Sequence, residues 1–495
     1  MNEREENTLT ETDIREQMLI DGEWVDAVDG RVIEIETPRD RTTIGQIPRG
    51  GEADVDRAVR AARAAQPGWR ATPPRERGDA FRRIADDLES ERERIAKLSS
   101  LENGNAIRTQ TRGEIGFLID AFRYYSGLAS EAKGETQPRG DLVLDYTRRE
   151  PLGVVGAIVP WNAPLMLSAL KIAPALTMGN TLVLKLAEDA PLAVLDVVRA
   201  CQHHLPAGVL NVVTGYGTEA GEALSHHPGV DKLSFTGSTA VGKRVMEVAA
   251  DRVVPVSLEL GGKSPQIVFP DADEDWVVDG TIAGVRFFRQ GQSCTAGSRL
   301  FLHESIYDGF VDKLTAKLSE LVVGDPLDEA SDMGAIVNTR QFDKVCDYIS
   351  DGERQQGARI TIGGVPPKDG PLPGGNYVQP TVIANVDNDW RVAREEIFGP
   401  VVVAIPWKDE DDVIRMANDT HYGLAGFVWS HDIGAALRTA HRLDAGWVQV
   451  NQGGAQVLGQ SYGGFKQSGI GREISLEGML DSFTQRKQVS VNLAH

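Results

Sequence analysis

Residues 153–186 read GVVGAIVPWNAPLMLSALKIAPALTMGNTLVLKL. The stretch 151–170 carries no formal charge, which raises the question of a membrane span. Pro160, Asn162 and Pro164 interrupt it and Lys171 closes it, so it reads as a buried strand, a break and a helix. TLVLKL then supplies the next strand. Outward from this unit the pattern repeats: VLNVVTG, KLSFTG and PVSLEL follow at intervals of roughly 20–30 residues, the rhythm of βαβ units and a parallel sheet. A second series, PQIVF, SRLFLH, VVVAIP, GFVWS and WVQVN, begins after Gly261. The fold class is therefore α/β, with two open α/β domains in series.

Several segments lie outside this rhythm. Helical periodicity runs through 53–65 and 74–98, while 363–376 is a Gly/Pro-rich surface loop. Residues 1–17 read as a loose acidic leader without the apolar core of a signal peptide. DLVLDYTRR (141–149) and the tail 484–493 alternate like strands but belong to neither series. Such strands pair with each other, with another chain, or back onto their own domain.

The chain has 495 residues, 41% hydrophobic and 25% charged, a globular composition long enough for more than one domain. Its 52 Lys+Arg against 72 Asp+Glu give a net charge of −20, which repels polyanions and disfavours nucleic-acid or membrane-surface partners. Three scattered cysteines, Cys201, Cys294 and Cys346, make neither a disulfide framework nor a metal cluster. A cytoplasmic protein without a structural metal is expected.

Cys294 lies in FFRQGQSCTAGSR, a glycine-rich break before a strand, where a thiolate gains access and nearby dipoles. Cys201 and Cys346 sit in helical patterns and read as packing thiols. Glu259, between Leu258 and Leu260 at a strand end, is either a desolvated general base or a solvent-facing residue before a Gly-Gly turn. Asn162, between two prolines, is either an oxyanion donor or part of a rigid turn. Gly215-Tyr-Gly217-Thr-Glu-Ala-Gly221 has one residue too many for the usual dinucleotide fingerprint. Phe235-Thr236-Gly237-Ser238 ends a strand and opens a helix, a place for a pyrophosphate. Lys185 and Glu188 leave a strand together and could bind the hydroxyls of a ribose.

Together these residues resemble the NAD(P)-dependent aldehyde dehydrogenase superfamily. The resemblance is carried by PWN (160–162), the Lys185/Glu188 pair, FTGS (235–238), LELGGKSP (258–265), GQSC (291–294), EEIFGPV (395–401) and GGFKQSGIGRE (463–473). It implies that Cys294 attacks an aldehyde, that the Asn162 amide and the Cys294 N–H hold the oxyanion, and that Glu259 activates water against the resulting thioester. It further implies an NAD site formed by Trp161, Lys185, Glu188, Gly217, Gly221, Phe235, Gly237, Ser238, Val241, Glu396 and Phe398. Glu188 repels an added 2′-phosphate, so NAD is expected over NADP. The implied domains are 1–127 with 152–260 for the cofactor and 261–470 for catalysis. Residues 128–151 with 471–495 form the bridging element of a homodimer or homotetramer.

The chain departs from the common pattern in places. It reads Lys185-Leu-Ala-Glu188 where many members have KPSE, and Ser461-Tyr462-Gly463-Gly464 where many have PFGG, the latter expected to be structural. Ala163, Leu167, Leu170 and Leu128, with Ser293 and Thr295 beside the nucleophile, are expected to line the substrate tunnel. The loop 451–460 has no aromatic residue for a quaternary-ammonium cage, and no arginine is evident for a carboxylated substrate. A medium-to-bulky apolar or aromatic aldehyde is the resulting expectation. The alternatives are a CoA-acylating relative, a cofactor-independent thiol hydrolase, and a non-enzymatic protein on the same fold.

Overall fold

The structure, a computed structural model, describes residues 14–494 except 368–371 and 373. The strands Val154–Ile158 and Thr181–Lys185 are parallel, joined through the helix Pro164–Thr177. Pro164 occupies the first turn of that helix, where its missing N–H is harmless. Asn180 fastens the return: its Oδ1 accepts the N–H groups of Leu152 and Gly153 at 2.7 and 3.0 Å. Every residue of Thr181–Lys185 is buried, as expected of a parallel strand covered on both faces.

This unit is the centre of an eight-stranded sheet. Leu210–Val213, Thr181–Lys185, Val154–Ile158, Lys232–Thr236 and Val256–Glu259 lie side by side and parallel. The first three strands in chain order run toward one edge and the last two toward the other. The order therefore reverses between Val154–Ile158 and Lys232–Thr236, and ligands settle beyond the carboxyl ends of strands at such a switch point. The chain leaves these two strands at Pro160-Trp161-Asn162 and at Gly237-Ser238.

Antiparallel strands close both edges. Gly469–Ile470 pairs with Val256–Glu259, so residues assigned from sequence to the catalytic segment join the first sheet. Met18–Ile20 and Glu23–Val25 close the other edge; at three residues each they carry too little periodicity to be read in advance. Ile14–Arg15 pairs with Thr43–Pro48, so this end of the expected leader is a strand, and residues 1–13 lie outside the described ones.

The second series forms a seven-stranded sheet in the order Arg359–Ile362, Thr381–Ala384, Val401–Trp407, Arg299–His303, Pro265–Val268, Ala425–Trp429, Trp447–Val450. All its pairings are parallel except that of Arg359–Ile362. The two orphan strands pair with each other: Val143–Pro151 and Thr484–Asn492 run antiparallel from Thr484 opposite Pro151 to Asn492 opposite Val143, with Thr136–Pro138 on the far side. Among the described residues no helix is long and apolar enough to cross a membrane.

Candidate active site

A cavity of about 500 Å³ opens at the switch point. Its wall takes Trp161, Asn162, Gly237, Ser238 and Val241 from the first sheet's loops, Cys294 and Ser293 from the second domain, and Glu259 from the strand end between them. Three sequence motifs interlock around it through glycines. A Cβ on Gly262 would stand 2.3 Å from the carbonyl oxygen of Cys294, and one on Gly291, where φ is 63°, would stand 1.9 Å from the carbonyl oxygen of Gly399. LELGG, GQSC and EEIFGPV are thus held backbone to backbone, which explains why they carry glycine at these points.

Cys294 is half-buried, and its sulfur lies 3.5 Å from the Tyr462 hydroxyl. Burial pushes its thiol up to about 11, with Tyr462 acting in the opposite direction. Cys201 is fully enclosed and Cys346 is partly exposed on the helix Thr339–Glu353. The Asn162 amide donates to the carbonyl of Gln292, two residues before Cys294, at 3.0 Å. An amide nitrogen has a second donor, and Asn162 lines the cavity.

Glu259 is 4% exposed, and neither carboxylate oxygen has a hydrogen-bond partner among the described residues. Burial first, and Glu473 second, hold its pKa well above the usual carboxylate range. Glu473 is itself buried and paired with Lys171, so a cation and two carboxylates share this interior. A buried carboxylate without partners is costly, and such groups concentrate where function requires them.

On the other side of the cavity, Glu396 Oε1 accepts the Gly262 N–H at 2.9 Å, and Phe398 packs edge-on against Trp161 with ring centroids 5.4 Å apart. Phe398 has φ 58°, and Gln341 holds this loop by donating to the carbonyls of Ile397 and Phe398 at 3.1 and 2.8 Å. Ser238 caps the helix Thr239–Arg252, its Oγ accepting the Val241 N–H at 3.4 Å. Phe235 lies beneath this turn, buried, with its ring against Gly237.

Other expected residues lie elsewhere. Lys185 pairs with Glu188 at 3.1 Å, and Glu188 lines a separate pocket with Tyr216 and Asn338. Gly217 begins the helical turn Gly217–Gly221, away from the main cavity; neither of these glycines has positive φ or a neighbour a Cβ would strike. Ala163, Leu167 and Leu170 line the cavity. Thr295 does not: it is fully buried beneath the wall, its hydroxyl 3.1 Å from that of Ser293. Leu128 also misses the cavity, since it ends the helix Arg112–Gly127 and packs on the core.

The sequence reading missed Arg286, Arg289, Gln110, Gln456 and Tyr462, all in the wall. The absence of a nearby arginine is therefore corrected. Arg286 and Arg289 precede Cys294 by less than ten residues; the short 3-10 turn Phe287–Arg289 follows Arg286 and ends on Arg289, and both line the cavity. Tyr462, expected to be merely structural, touches the sulfur of Cys294.

The aldehyde dehydrogenase family model matches residues 24–489. The chain belongs to the aldehyde dehydrogenase family. An aldehyde dehydrogenase of Aspergillus niger is 41% identical over 479 residues, covering 96% of this chain and 95% of that one. Among solved structures, the NAD+ complex of an aldehyde dehydrogenase from Bacillus cereus superimposes with a TM-score of 0.94 at 38% identity, covering 97% of each chain. An NADP-dependent enzyme of E. coli matches with a TM-score of 0.93 at 36% identity, covering 97% of this chain and 98% of that one. Family membership agrees with the observed two-sheet architecture and with a cavity at the switch point.

Proposed function

We propose that this aldehyde dehydrogenase family member oxidises an aldehyde to the carboxylic acid with NAD+ through a covalent intermediate on Cys294. The observation that carries the reading is Glu259, buried and without a partner on the wall that also holds Cys294 and Asn162. The Cys294 sulfur adds to the carbonyl carbon, and the oxygen that gains charge accepts from the Asn162 amide and the Cys294 N–H. Once that carbon has lost its hydride and become a thioester, Glu259 takes a proton from water, the water oxygen adds to the thioester carbonyl, and the thiolate leaves.

The residues suit a dinucleotide, because the cavity is continuous from the helix start at Ser238, past Trp161, Phe398 and the free oxygen of Glu396, to Cys294. NAD+ bound there supplies the acceptor for the hydride leaving the thiohemiacetal carbon. Lys185 and Glu188 hold the adenosine ribose in this reading, and Glu188, with Asp189 beside it, repels a 2′-phosphate. Residues 1–127 with 152–260 bind the cofactor, 261–470 carry the nucleophile, and 128–151 with 471–495 join subunits of a cytoplasmic homo-oligomer. The open edges of the three-stranded sheet favour such joining. The aliphatic wall of Met166, Leu167 and Leu170 suits a medium-to-bulky aldehyde body.

Absorbance of reduced nicotinamide, followed with an aldehyde panel and NAD, NADP or NAD plus CoA, tests the reading. Oxidation with NAD and water alone is expected, with NAD favoured over NADP by about tenfold or more. No reduction with any aldehyde overturns the reading. Strict dependence on CoA favours the acylating alternative, and equal use of both cofactors removes the role of Glu188.

A further inference from the structure

Arg286 ends the helix Asp275–Val285 in the left-handed backbone region, at φ 64°, where glycine or asparagine is the usual occupant. Its guanidinium reaches the cavity wall and makes two hydrogen bonds, both to backbone carbonyls: Gly453 at 3.1 Å and Gly454 at 2.6 Å. No carboxylate pairs with it among the described residues, and the charged or ionisable groups that act on it are Arg289, Tyr462 and Cys294. Burial, then Arg289, pulls the guanidinium down to about 10.

Its neighbours are arranged differently. Arg289 pairs with Glu114 at 3.4 Å and donates to Gln110 Oε1 at 3.1 Å and to the Asn162 carbonyl at 3.3 Å. Arg299, also without an acidic partner among the described residues, spends its donors on the carbonyls of Lys263, Met416 and Ala417 and on Asn388 Oδ1, and is fully enclosed. Arg286 alone of the three combines an unanswered charge, spare donors and an open cavity. A guanidinium carries five N–H donors in a planar fork that matches a carboxylate.

Its position is also distinctive. A second cavity, of about 350 Å³, shares Gln110, Met166, Arg286, Arg289, Ala455 and Gln456 with the first. These residues form the neck between the two spaces. An aldehyde with its carbonyl at Cys294 and its body along Met166 and Leu167 carries its distal end across this neck. Because the chain has a net charge of −20, an anionic substrate gains nothing from the overall field, and its recognition rests on local cations. Arg340 and Lys344 also line the first cavity but not the second, and Arg289 is paired with Glu114, which leaves Arg286 as the cation at the neck without a carboxylate partner among the described residues.

We propose that Arg286 binds a carboxylate at the distal end of the substrate, so that the preferred aldehydes are monoaldehydes of dicarboxylic acids. This deepens the dehydrogenase reading above and rests on it. The test compares kcat/KM for 4-carboxybenzaldehyde and 4-methylbenzaldehyde in the wild type, R286Q and R286K. The wild type should favour the carboxylated aldehyde by about tenfold or more, the range of a hydrogen bond to a charged group. In R286Q that preference should disappear, chiefly through KM, while R286K, which keeps the charge without the fork, should retain part of it. Calorimetric titration with terephthalate, the dicarboxylate product, gives a readout independent of turnover: R286Q should bind about tenfold more weakly than the wild type.

Oxidation of both aldehydes without preference overturns this proposal and leaves the dehydrogenase reading standing. An equal loss on both substrates in R286Q, with unchanged terephthalate binding, also overturns it, since Arg286 would then be only an anchor for residues 453–454. If neither aldehyde is oxidised, the dehydrogenase reading is in question, and terephthalate binding that is absent or equal in both proteins overturns the carboxylate site separately.

Discussion

The hydroxyl of Tyr462 sits 3.5 Å from the sulfur of Cys294. The same tyrosine exchanges backbone hydrogen bonds with Glu473, at 3.2 and 2.7 Å, and Glu473 is paired with Lys171 behind Glu259. One residue therefore links Cys294 to the interior that surrounds Glu259. A phenol donating to a thiolate favours the charged form. Y462F should shift the pH midpoint of Cys294 alkylation by iodoacetamide upward, by about one unit. An unchanged midpoint would mean that the contact has no electrostatic consequence.

The buried Glu259 makes a prediction about stability. Its folded pKa is raised above the unfolded value of about 4.3, so its contribution to stability is complete below about pH 4 and is lost as pH rises through the folded pKa. Glu259→Gln removes the ionisation. The variant should melt about 2 °C or more above the wild type at pH 8, with the gap closing near pH 4. A gap independent of pH would contradict the assigned environment.

Lys171 and Glu473 are 1% and 5% exposed, so breaking their pair strands a charge in the interior. K171M should destabilise the protein by about 3–5 kcal/mol, and K171M/E473L should recover most of that loss. Denaturation midpoints decide the matter. A double variant no better than the single one would place the loss in packing around the lysine rather than in the stranded charge.

Gly262 faces the Cys294 carbonyl so closely that alanine must displace one backbone or the other. Displacements of this size misplace reacting groups, and G262A should lower kcat/KM by about 100-fold with an unchanged far-UV spectrum. Near wild-type activity would show that the loop yields without moving Cys294.

The strands of both sheets were legible because parallel strands buried on both faces must be continuously apolar, as in TLVLKL and VVVAIP. Glu259 and Asn162 were legible because each puts a polar group at or just beyond the end of an apolar strand, and Cys294 because it stands in a glycine-rich break. Short edge strands such as Glu23–Val25 were not, since three residues show no period. The substrate side was the least legible part. Arg286 and Tyr462 reach one wall from segments far apart in sequence, and neither is marked locally as facing a cavity. Thr295 failed for the opposite reason: adjacency to Cys294 suggested exposure, but the segment is irregular, and Thr295 is fully buried with its hydroxyl against that of Ser293.

The covalent role of Cys294 is tested most directly in the E259Q variant, where hydrolysis of the intermediate should be blocked. Mixed with NAD+ and an aldehyde substrate, then quenched in acid, this protein should release about one equivalent of NADH per active site and carry the acyl mass on the peptide containing Cys294. NADH production with an unmodified Cys294, or continued oxidation by Cys294→Ala, would contradict the account.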